Sequence, residues 1–344
     1  MDVPADRIAS ASDAVLLRLA GLVKHFEVPA PLTVRTMVRR PAPRVVKAVD
    51  GVDLDIHRGR TIGLVGESGC GKTTIGRLVM RAVTPTAGAI VFDGDDVAQL
   101  TGPPLFAYRR RVQIVYQDPF TSLNPRMTIR RIIREPLDVH GIGAPSERDD
   151  RVVKLMTRVG VNANYADRYP HEFSAGQVKR VAIARAIAVG PDLLVADEAV
   201  SGLDVSVKAQ ILNLLADLQD EMGLTYLFIS HDLGVVQYLC HTVAVMYLGR
   251  IVELGTSEEI FTRPQHPYTV ALLHSFPRMK GESSEFQLKA TLRGEIPSPI
   301  DVPSGCRFHT RCAIARAECA RNEPAVREVT AGHWAACTFP GEAH

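Results

Sequence analysis

The chain has 344 residues, of which 46% are hydrophobic and 23% charged, a composition typical of soluble proteins that bury a full core. Its formal net charge is only +2, so the overall charge gives no support for a nucleic-acid partner. No run approaches the ~18 apolar residues of a membrane span, and the polar N-terminus lacks an apolar signal-peptide core, so we expect a cytoplasmic protein.

The N-terminal third predicts strands followed by a helix. Residues 14–26 are strand-like, and the pattern resumes over residues 45–65, where Val52, Leu54 and Ile56 alternate with polar positions, the period of a half-buried strand. The short apolar run "TIGLVG" is typical of a buried parallel strand. A helix is expected from Lys72 to about Val83, and "GAIVFDG" predicts a further strand.

A glycine-rich loop lies between that buried strand and that helix. "GESGCGKT" matches the phosphate-binding pattern G-x-x-x-x-G-K-[ST], and its glycines let backbone N–H groups point at phosphate oxygens. Lys72 would add a positive charge for the β- and γ-phosphates, and Thr73 would ligate Mg²⁺. The alternative is a glycine-rich turn without a ligand. The candidate phosphate-site residues are Gly66, Glu67, Ser68, Gly69, Cys70, Gly71, Lys72, Thr73 and Thr74.

The middle of the chain predicts helices and then two buried strands. Residues 119–188 are mostly helical in pattern, and "DLLVADE" and "TYLFISH" are buried-strand runs separated by a helical segment. This order indicates an α/β domain with a mostly parallel sheet. The first of the two runs ends in Asp197 and Glu198. Asp197 can reach Mg²⁺ through water, and Glu198 can act as the general base on the attacking water.

Four further motifs identify a family. "EFSAGQVKR" resembles the signature sequence of ABC-transporter ATPases, "YQDPFTSLNPRMTI" their Q-loop, "SGLD" their D-loop, and "ISHD" their switch-histidine motif. With the phosphate loop and "LLVADE", six ordered motifs span residues 63–232. The chain therefore resembles the ABC ATPases.

The resemblance implies roles for particular residues. Gln117, together with Thr73 and Asp197, would contact Mg²⁺, and His231 would orient the attacking water beside the γ-phosphate. Phe26 would stack on adenine. The signature residues would complete the ATP site of a second subunit, and Ala175 stands where glycine is usual. The signature and D-loop candidates are Ser174, Ala175, Gly176, Gln177 and Asp204.

The resemblance narrows to one branch. "RPQHPYTVALLHSFP" resembles the ATPase subunits of oligopeptide and dipeptide importers, most closely their second, F-type subunit. It implies a P-loop ABC ATPase with a RecA-like core, an antiparallel β subdomain and an α-helical subdomain, followed by a small cysteine-containing extension. The implied ATPase domain spans residues 14–255, with its helical subdomain at about 119–188. The extension spans residues 256–344.

The implied function is ATP hydrolysis that powers import of di- or oligopeptides at the cytoplasmic face of the cell membrane. The implied partners are a second ATPase subunit, typically a different chain, two permease subunits and, through them, an extracytoplasmic solute-binding protein. Related importers carry nickel, opines or glutathione. A non-transport ABC ATPase in DNA repair or on ribosomes is a different class, but this chain has one phosphate loop and no sustained heptads.

Four of the six cysteines lie near the C-terminus, at Cys306, Cys312, Cys319 and Cys337. Their spacings are C-x5-C, C-x6-C and C-x17-C, without the tight C-x2–4-C pairs usual in zinc sites. Four thiolates on irregular spacing favour an iron–sulfur cluster, and the resemblance also implies [4Fe–4S]. Zinc is an alternative, and unbound or oxidised thiols are a third.

Overall fold

The computed structural model describes residues 14–28, 44–275 and 294–343, which form two sheets flanked by helices. The strands are β1 Val15–Val28, β2 Arg44–His57, β3 Thr61–Val65, β4 Ala87–Phe92, β5 Asp95–Asp96, β6 Val112–Val115, β7 Leu193–Asp197, β8 Thr225–Ile229, β9 Thr242–Tyr247, β10 Arg250–Thr256, β11 Arg327–Thr330 and β12 His333–Ala335. The helices are α1 Lys72–Val79, α2 Gly102–Arg111, α3 Pro119–Ser122, α4 Ile129–Val139, α5 Arg148–Arg158, α6 Ala175–Ile187, α7 Val205–Met222, α8 Leu233–Leu239, α9 Ser257–Thr262 and α10 Pro267–His274.

The smaller sheet is antiparallel, with the strand order β2-β1-β4-β5. The alternating residues Val52, Leu54 and Ile56 of β2 are buried, as their period predicts. They share one apolar core with Ile75 and Leu78 of α1. The antiparallel sheet therefore packs against the helix that follows the phosphate loop.

The larger sheet has the order β11-β12-β10-β9-β3-β8-β7-β6. Strands β6, β7, β8, β3 and β9 pair with one another in parallel, which confirms the predicted parallel α/β core, while β10 joins β9 antiparallel. Strands β3, β7 and β8 are buried along their whole length. Because parallel strands end at the same edge of a sheet, the loops after these three strands lie side by side.

The helical region between β6 and β7 contains α3, α4, α5 and α6, in agreement with the predicted helical stretch. Helix α4 buries Ile129, Ile132, Ile133 and Leu137, the spacing of one helical face. The Thr128 side chain caps this helix by accepting from the backbone N–H of Arg131. This apolar face contributes to the same core as α6.

Helix α1 is shorter than predicted, because it ends at Val79 and Arg81 has a left-handed φ of 53°. The described part of the C-terminal extension contains two further strands, β11 and β12. Strand β12 pairs with β10, so the extension continues the main sheet. The buried carboxylate of Glu253 on β10 accepts from Nε2 of His333 at 2.7 Å, which ties the two strands together. Within residues 14–28, 44–275 and 294–343, no helix is long and apolar enough to cross a membrane.

Candidate nucleotide site

The phosphate loop follows β3 and turns sharply into α1. Gly66 and Gly71 have φ values of 152° and 112°. A Cβ on Gly66 would lie 2.2 Å from the Met246 carbonyl oxygen, and one on Gly71 would lie 2.1 Å from the Ala48 carbonyl oxygen. Both positions therefore require glycine, because backbone atoms pass where a side chain would be.

Lys72 places its ammonium group against this loop. Its Nζ donates to the carbonyl oxygens of Gly66 at 2.7 Å and Glu67 at 2.9 Å, and the residue is 6% exposed. Helix α1 has no side-chain cap at its N-terminus, so its first N–H groups are available to an anion. The loop therefore combines a helix N-terminus with a buried positive charge.

Thr73 and Asp197 meet across the site. The Thr73 hydroxyl donates to Oδ1 of Asp197 at 3.3 Å, joining the start of α1 to the end of β7. Burial raises the pKa of Asp197, and the neighbouring Glu198 raises it further, while the Thr73 hydroxyl acts in the opposite direction. A hydroxyl and a carboxylate side by side are oxygen ligands of the kind Mg²⁺ uses, so these residues fit that ion.

Glu198 and His231 form a second pair at the same edge of the sheet. Nδ1 of His231 lies 3.1 Å from Oε1 of Glu198. Glu198 has a φ of 49°, which is unusual for a residue with a side chain, and its N–H donates to the Ile229 carbonyl at 2.9 Å. This bond to the end of β8 holds the strained backbone and directs the carboxylate toward His231.

The signature residues open helix α6. The Ser174 hydroxyl accepts from the Gln177 N–H at 3.4 Å, and Oε1 of Gln177 accepts from the Ser174 N–H at 3.1 Å, which forms a capping box. Ala175 is the first helical residue and is absent from the described residues with positive φ, so alanine causes no backbone strain there. A Cβ on Gly176 would lie 2.5 Å from a methyl group of Val207, so glycine is needed at that position for packing against α7. Asp204 precedes α7 without a side-chain cap bond.

Lys179, which the sequence analysis missed, connects this helix to the Q-loop. Its Nζ donates to the carbonyl oxygens of Tyr116 at 2.9 Å and Gln117 at 2.7 Å, and the residue is 1% exposed. Burial lowers the pKa of Lys179 to about 8. The available signal was a lysine within the apolar helical stretch "VKRVAIARAIAVG", which implies a buried partner. Gln117 itself is exposed.

Phe26 lies on the antiparallel sheet, near the end of β1, and is 38% exposed. The Nζ of Lys24 lies 5.0 Å from the centre of its ring. An exposed ring with a neighbouring cation is accessible for stacking, as its predicted role requires.

The four C-terminal cysteines line one small pocket together with Phe308 and His309. The pKa of Cys312 and of Cys337 is raised to about 11 each, first by burial and also by the neighbouring thiols of the group. None of the six cysteines, all of which lie in the described ranges, forms a disulfide. Among the residues that the structure describes, no group of three or more His, Cys, Asp or Glu side chains has the geometry to hold a metal ion. The iron–sulfur and zinc predictions therefore receive no support from this geometry beyond the shared pocket.

Comparisons with known proteins agree with this arrangement. Residues 49–201 match the ABC transporter family, and residues 252–319 match the family described as the oligopeptide/dipeptide transporter C-terminal region. A putative peptide import ATP-binding protein of Brucella ovis is 50% identical over 95% of this chain and 98% of its own length. The oligopeptide transport ATP-binding protein AppF of Bacillus subtilis is 45% identical over 96% of this chain and 99% of its own. The dipeptide transport ATP-binding protein DppF of Haemophilus influenzae is 47% identical over 94% and 96%.

Solved structures extend the agreement to the fold. The ATP-binding cassette MJ0796, in a dimeric post-hydrolysis state bound to ADP and Pi, has a TM-score of 0.61 and 25% identity, covering 70% of this chain and 98% of that one. The structure of cbiO1 from Clostridium perfringens, part of the ABC transporter complex cbiONQ, has a TM-score of 0.60 and 27% identity, covering 72% and 91%. From these matches and the site geometry, the chain belongs to the family of ABC transporter ATPases and carries the C-terminal region of oligopeptide/dipeptide transporters.

Proposed function

We propose that this chain is the ATP-hydrolysing subunit that powers import of di- or oligopeptides through a membrane ABC permease. The observation that carries the proposal is the meeting of Thr73 with Asp197 and of Glu198 with His231 beside the phosphate loop. The relatives named for peptide, oligopeptide and dipeptide transport, which align over nearly the full chain, support the substrate class. The proposed location is peripheral, on the cytoplasmic face of the cell membrane.

The proposed assembly follows from the signature helix. The N-terminus of α6, which the Ser174 side chain caps, would act as a second anion site and complete the ATP site of another ATPase subunit. The dimeric state of the solved cassette MJ0796 supports this arrangement. The second subunit is a different chain in the proposed assembly, with two permease subunits and an extracytoplasmic solute-binding protein completing the importer. Residues 14–255 would form the nucleotide-binding domain, with a helical subdomain at about 119–188, and residues 256–344 the extension.

In the proposed mechanism, the loop N–H groups and Lys72 hold the ATP phosphates. Glu198 takes a proton from the attacking water, and His231, hydrogen-bonded to Glu198, holds that carboxylate in position and orients the water. Mg²⁺, held by Thr73, Asp197 and Gln117, would neutralise charge on the phosphate oxygens. Phe26 offers its exposed ring to adenine.

For the cysteine pocket, we propose a [4Fe–4S] cluster held by the four thiolates that line it. The support is their convergence on one pocket from positions up to 31 residues apart in a segment with little regular structure. The role of the cluster would be structural, as a cross-link that fixes the extension.

The substrate proposal is tested by deleting the gene and measuring uptake of labelled di- and oligopeptides, nickel, opines and glutathione. We expect loss of peptide uptake only, restored by the wild-type gene but not by the Glu198→Gln gene. Normal peptide uptake with loss of nickel, opine or glutathione uptake would overturn the peptide proposal. Normal uptake of all four would place the chain outside these importers.

A further inference from the structure

The C-terminal extension contacts the phosphate loop directly, through Glu67. Nη1 and Nη2 of Arg311 donate to Oε2 and Oε1 of Glu67 at 2.6 and 3.0 Å, a two-bond pairing of guanidinium and carboxylate. The Tyr268 hydroxyl accepts from the backbone N–H of Glu67 at 2.8 Å. Both the side chain and the backbone of this loop residue are therefore held by residues that come more than 200 positions later.

Arg311 itself is firmly placed. Its side chain is 5% exposed, and Nη1 also lies 3.4 Å from the Tyr247 hydroxyl. The carboxylate of Glu67 raises the pKa of the Arg311 guanidinium, so this group stays charged at every pH of interest. The Glu67 side chain is only 18% exposed, and the Arg311 guanidinium forms an ion pair with it. The pair thus neutralises a carboxylate that stands at the edge of an anion-binding loop.

The same arginine lies in the turn that carries two cysteines of the pocket, Cys306 and Cys312. It precedes Cys312, and its N–H donates to the Phe308 carbonyl at 3.0 Å within the turn that also carries Cys306. The Phe308 ring lines the pocket and packs on Tyr268 with ring centres 5.4 Å apart. The same turn therefore positions the Arg311 guanidinium and the Phe308 ring that packs on Tyr268. A change in how Cys306 and Cys312 are bonded would move this turn.

We propose that Arg311 and Tyr268 are positioning residues for the phosphate loop, and that the state of the cysteine pocket sets ATP affinity through them. This inference rests on the proposed ATPase function and adds control of its nucleotide site by the extension. Without Arg311, the Glu67 carboxylate would stand unpaired beside the triphosphate, and its repulsion would weaken ATP binding. Without the Tyr268 hydroxyl, the Glu67 N–H loses its acceptor, and the first turn of the loop is less fixed.

The first test measures the dissociation constant for ATP by calorimetry, on the purified full chain carrying Glu198→Gln so that nucleotide is not consumed. We expect Arg311→Met to raise this constant about tenfold and Tyr268→Phe to raise it about threefold, since lost hydrogen bonds to charged and neutral groups weaken binding in that order. Arg321→Gln is the matched control, because Arg321 lies in the same extension and is exposed. It should leave the constant unchanged.

A rescue separates positioning from general stability. Adding Glu67→Gln to Arg311→Met removes the unpaired carboxylate and should restore most of the affinity, which a merely misfolded extension would not allow. The double variant Cys312→Ser, Arg311→Met should bind ATP no more weakly than the weaker-binding of the two single variants, because both changes act through the same turn.

Three results would overturn the inference. They are an Arg311→Met constant equal to that of the Arg321→Gln control, no rescue by Glu67→Gln, or fully additive effects of Cys312→Ser and Arg311→Met. If the proposed ATPase function were wrong, the result would be different: the full chain carrying only Glu198→Gln would bind no ATP.

Discussion

Glu198 and His231 lie 3.1 Å apart although they follow different strands, β7 and β8, and stand 33 residues apart in the chain. Their contact depends on the parallel pairing of those strands, in which Asp197 lies opposite Ile229. It also depends on the left-handed backbone of Glu198, because an extended residue there would continue the strand. A carboxylate at the sheet edge with a histidine beside it is the arrangement a general base needs.

The first prediction concerns Glu198→Gln, which removes the proposed base and keeps the shape of the side chain. Steady-state phosphate release should fall by about 100-fold or more, the usual contribution of general-base catalysis. ATP affinity should stay near that of the unmodified chain, because the amide still fits. Glu221→Gln is the control, since that exposed carboxylate pairs with Arg158 away from the site. Phosphate release close to normal in Glu198→Gln would contradict the role assigned to this residue.

Asp197→Asn should separate metal-dependent from metal-independent binding. The amide can still accept from the Thr73 hydroxyl, but it is a weaker ligand for a hard cation. ATP affinity measured with Mg²⁺ should fall about tenfold, equivalent to about 1.4 kcal/mol, while affinity measured with EDTA should change little. Asp217→Asn, on the exposed face of α7, should change neither value. An equal loss with and without Mg²⁺ would mean that Asp197 supports the loop and does not hold the ion.

Lys179 should give the protein a measurable pH dependence of stability. Burial lowers its pKa to about 8 from an ordinary value of 10.5, so the unfolded chain binds more protons between these pH values. The contribution of Lys179 to the free energy of unfolding, taken as the difference from Lys179→Met, should therefore rise as the pH increases from 8 to 10.5. The full change is on the order of 3 kcal/mol. The neutral amine can still donate to the two Q-loop carbonyls, so the contacts survive.

Urea unfolding at pH 7 to 10 checks this. Lys179→Met should lack the rise, whereas Lys154→Met, which changes an exposed lysine on α5, should keep it. Parallel pH curves for Lys179→Met and the unmodified protein would show that the buried ammonium is not the source.

The cysteine pocket predicts a chemical signature. Protein purified without oxygen should be coloured and contain about four iron and four sulfide per chain. The double variant Cys306→Ser, Cys319→Ser should lose both and melt at a lower temperature, because the extension loses its cross-link. Cys240→Ala, a buried thiol outside the pocket, should retain the iron. Colourless protein that contains zinc, or no metal at all, would rule the cluster out.

Much of this architecture was predictable because its signals are local. The run "TIGLVG", the glycines at 66 and 71 and the run before Asp197 each specify a strand or a turn within a few residues. Strand β12 was not predictable, because three residues carry no period and their partner β10 lies about 80 positions earlier. The Arg311–Glu67 pair was not predictable for the same reason, since its partners are 244 residues apart. The position of Lys179 in an apolar helix could have been noticed in the sequence, but that pattern does not indicate which residues accept its hydrogen bonds.

The pairing of β12 with β10 has a consequence for biosynthesis. Until residues 333–335 leave the ribosome, β10 is the outer strand of the growing sheet, with its backbone N–H and C=O groups unpaired on one side. The nucleotide-binding part is therefore translated before its sheet is complete. A chain that stops at residue 300 would expose the unpaired side of β10, with which other chains can form hydrogen bonds. We expect such a truncated chain to sediment with aggregates in a cell-free translation, whereas the full-length product stays in the supernatant. In the finished chain β12 covers the edge of β10, and the short strand β11 becomes the outer strand of the sheet.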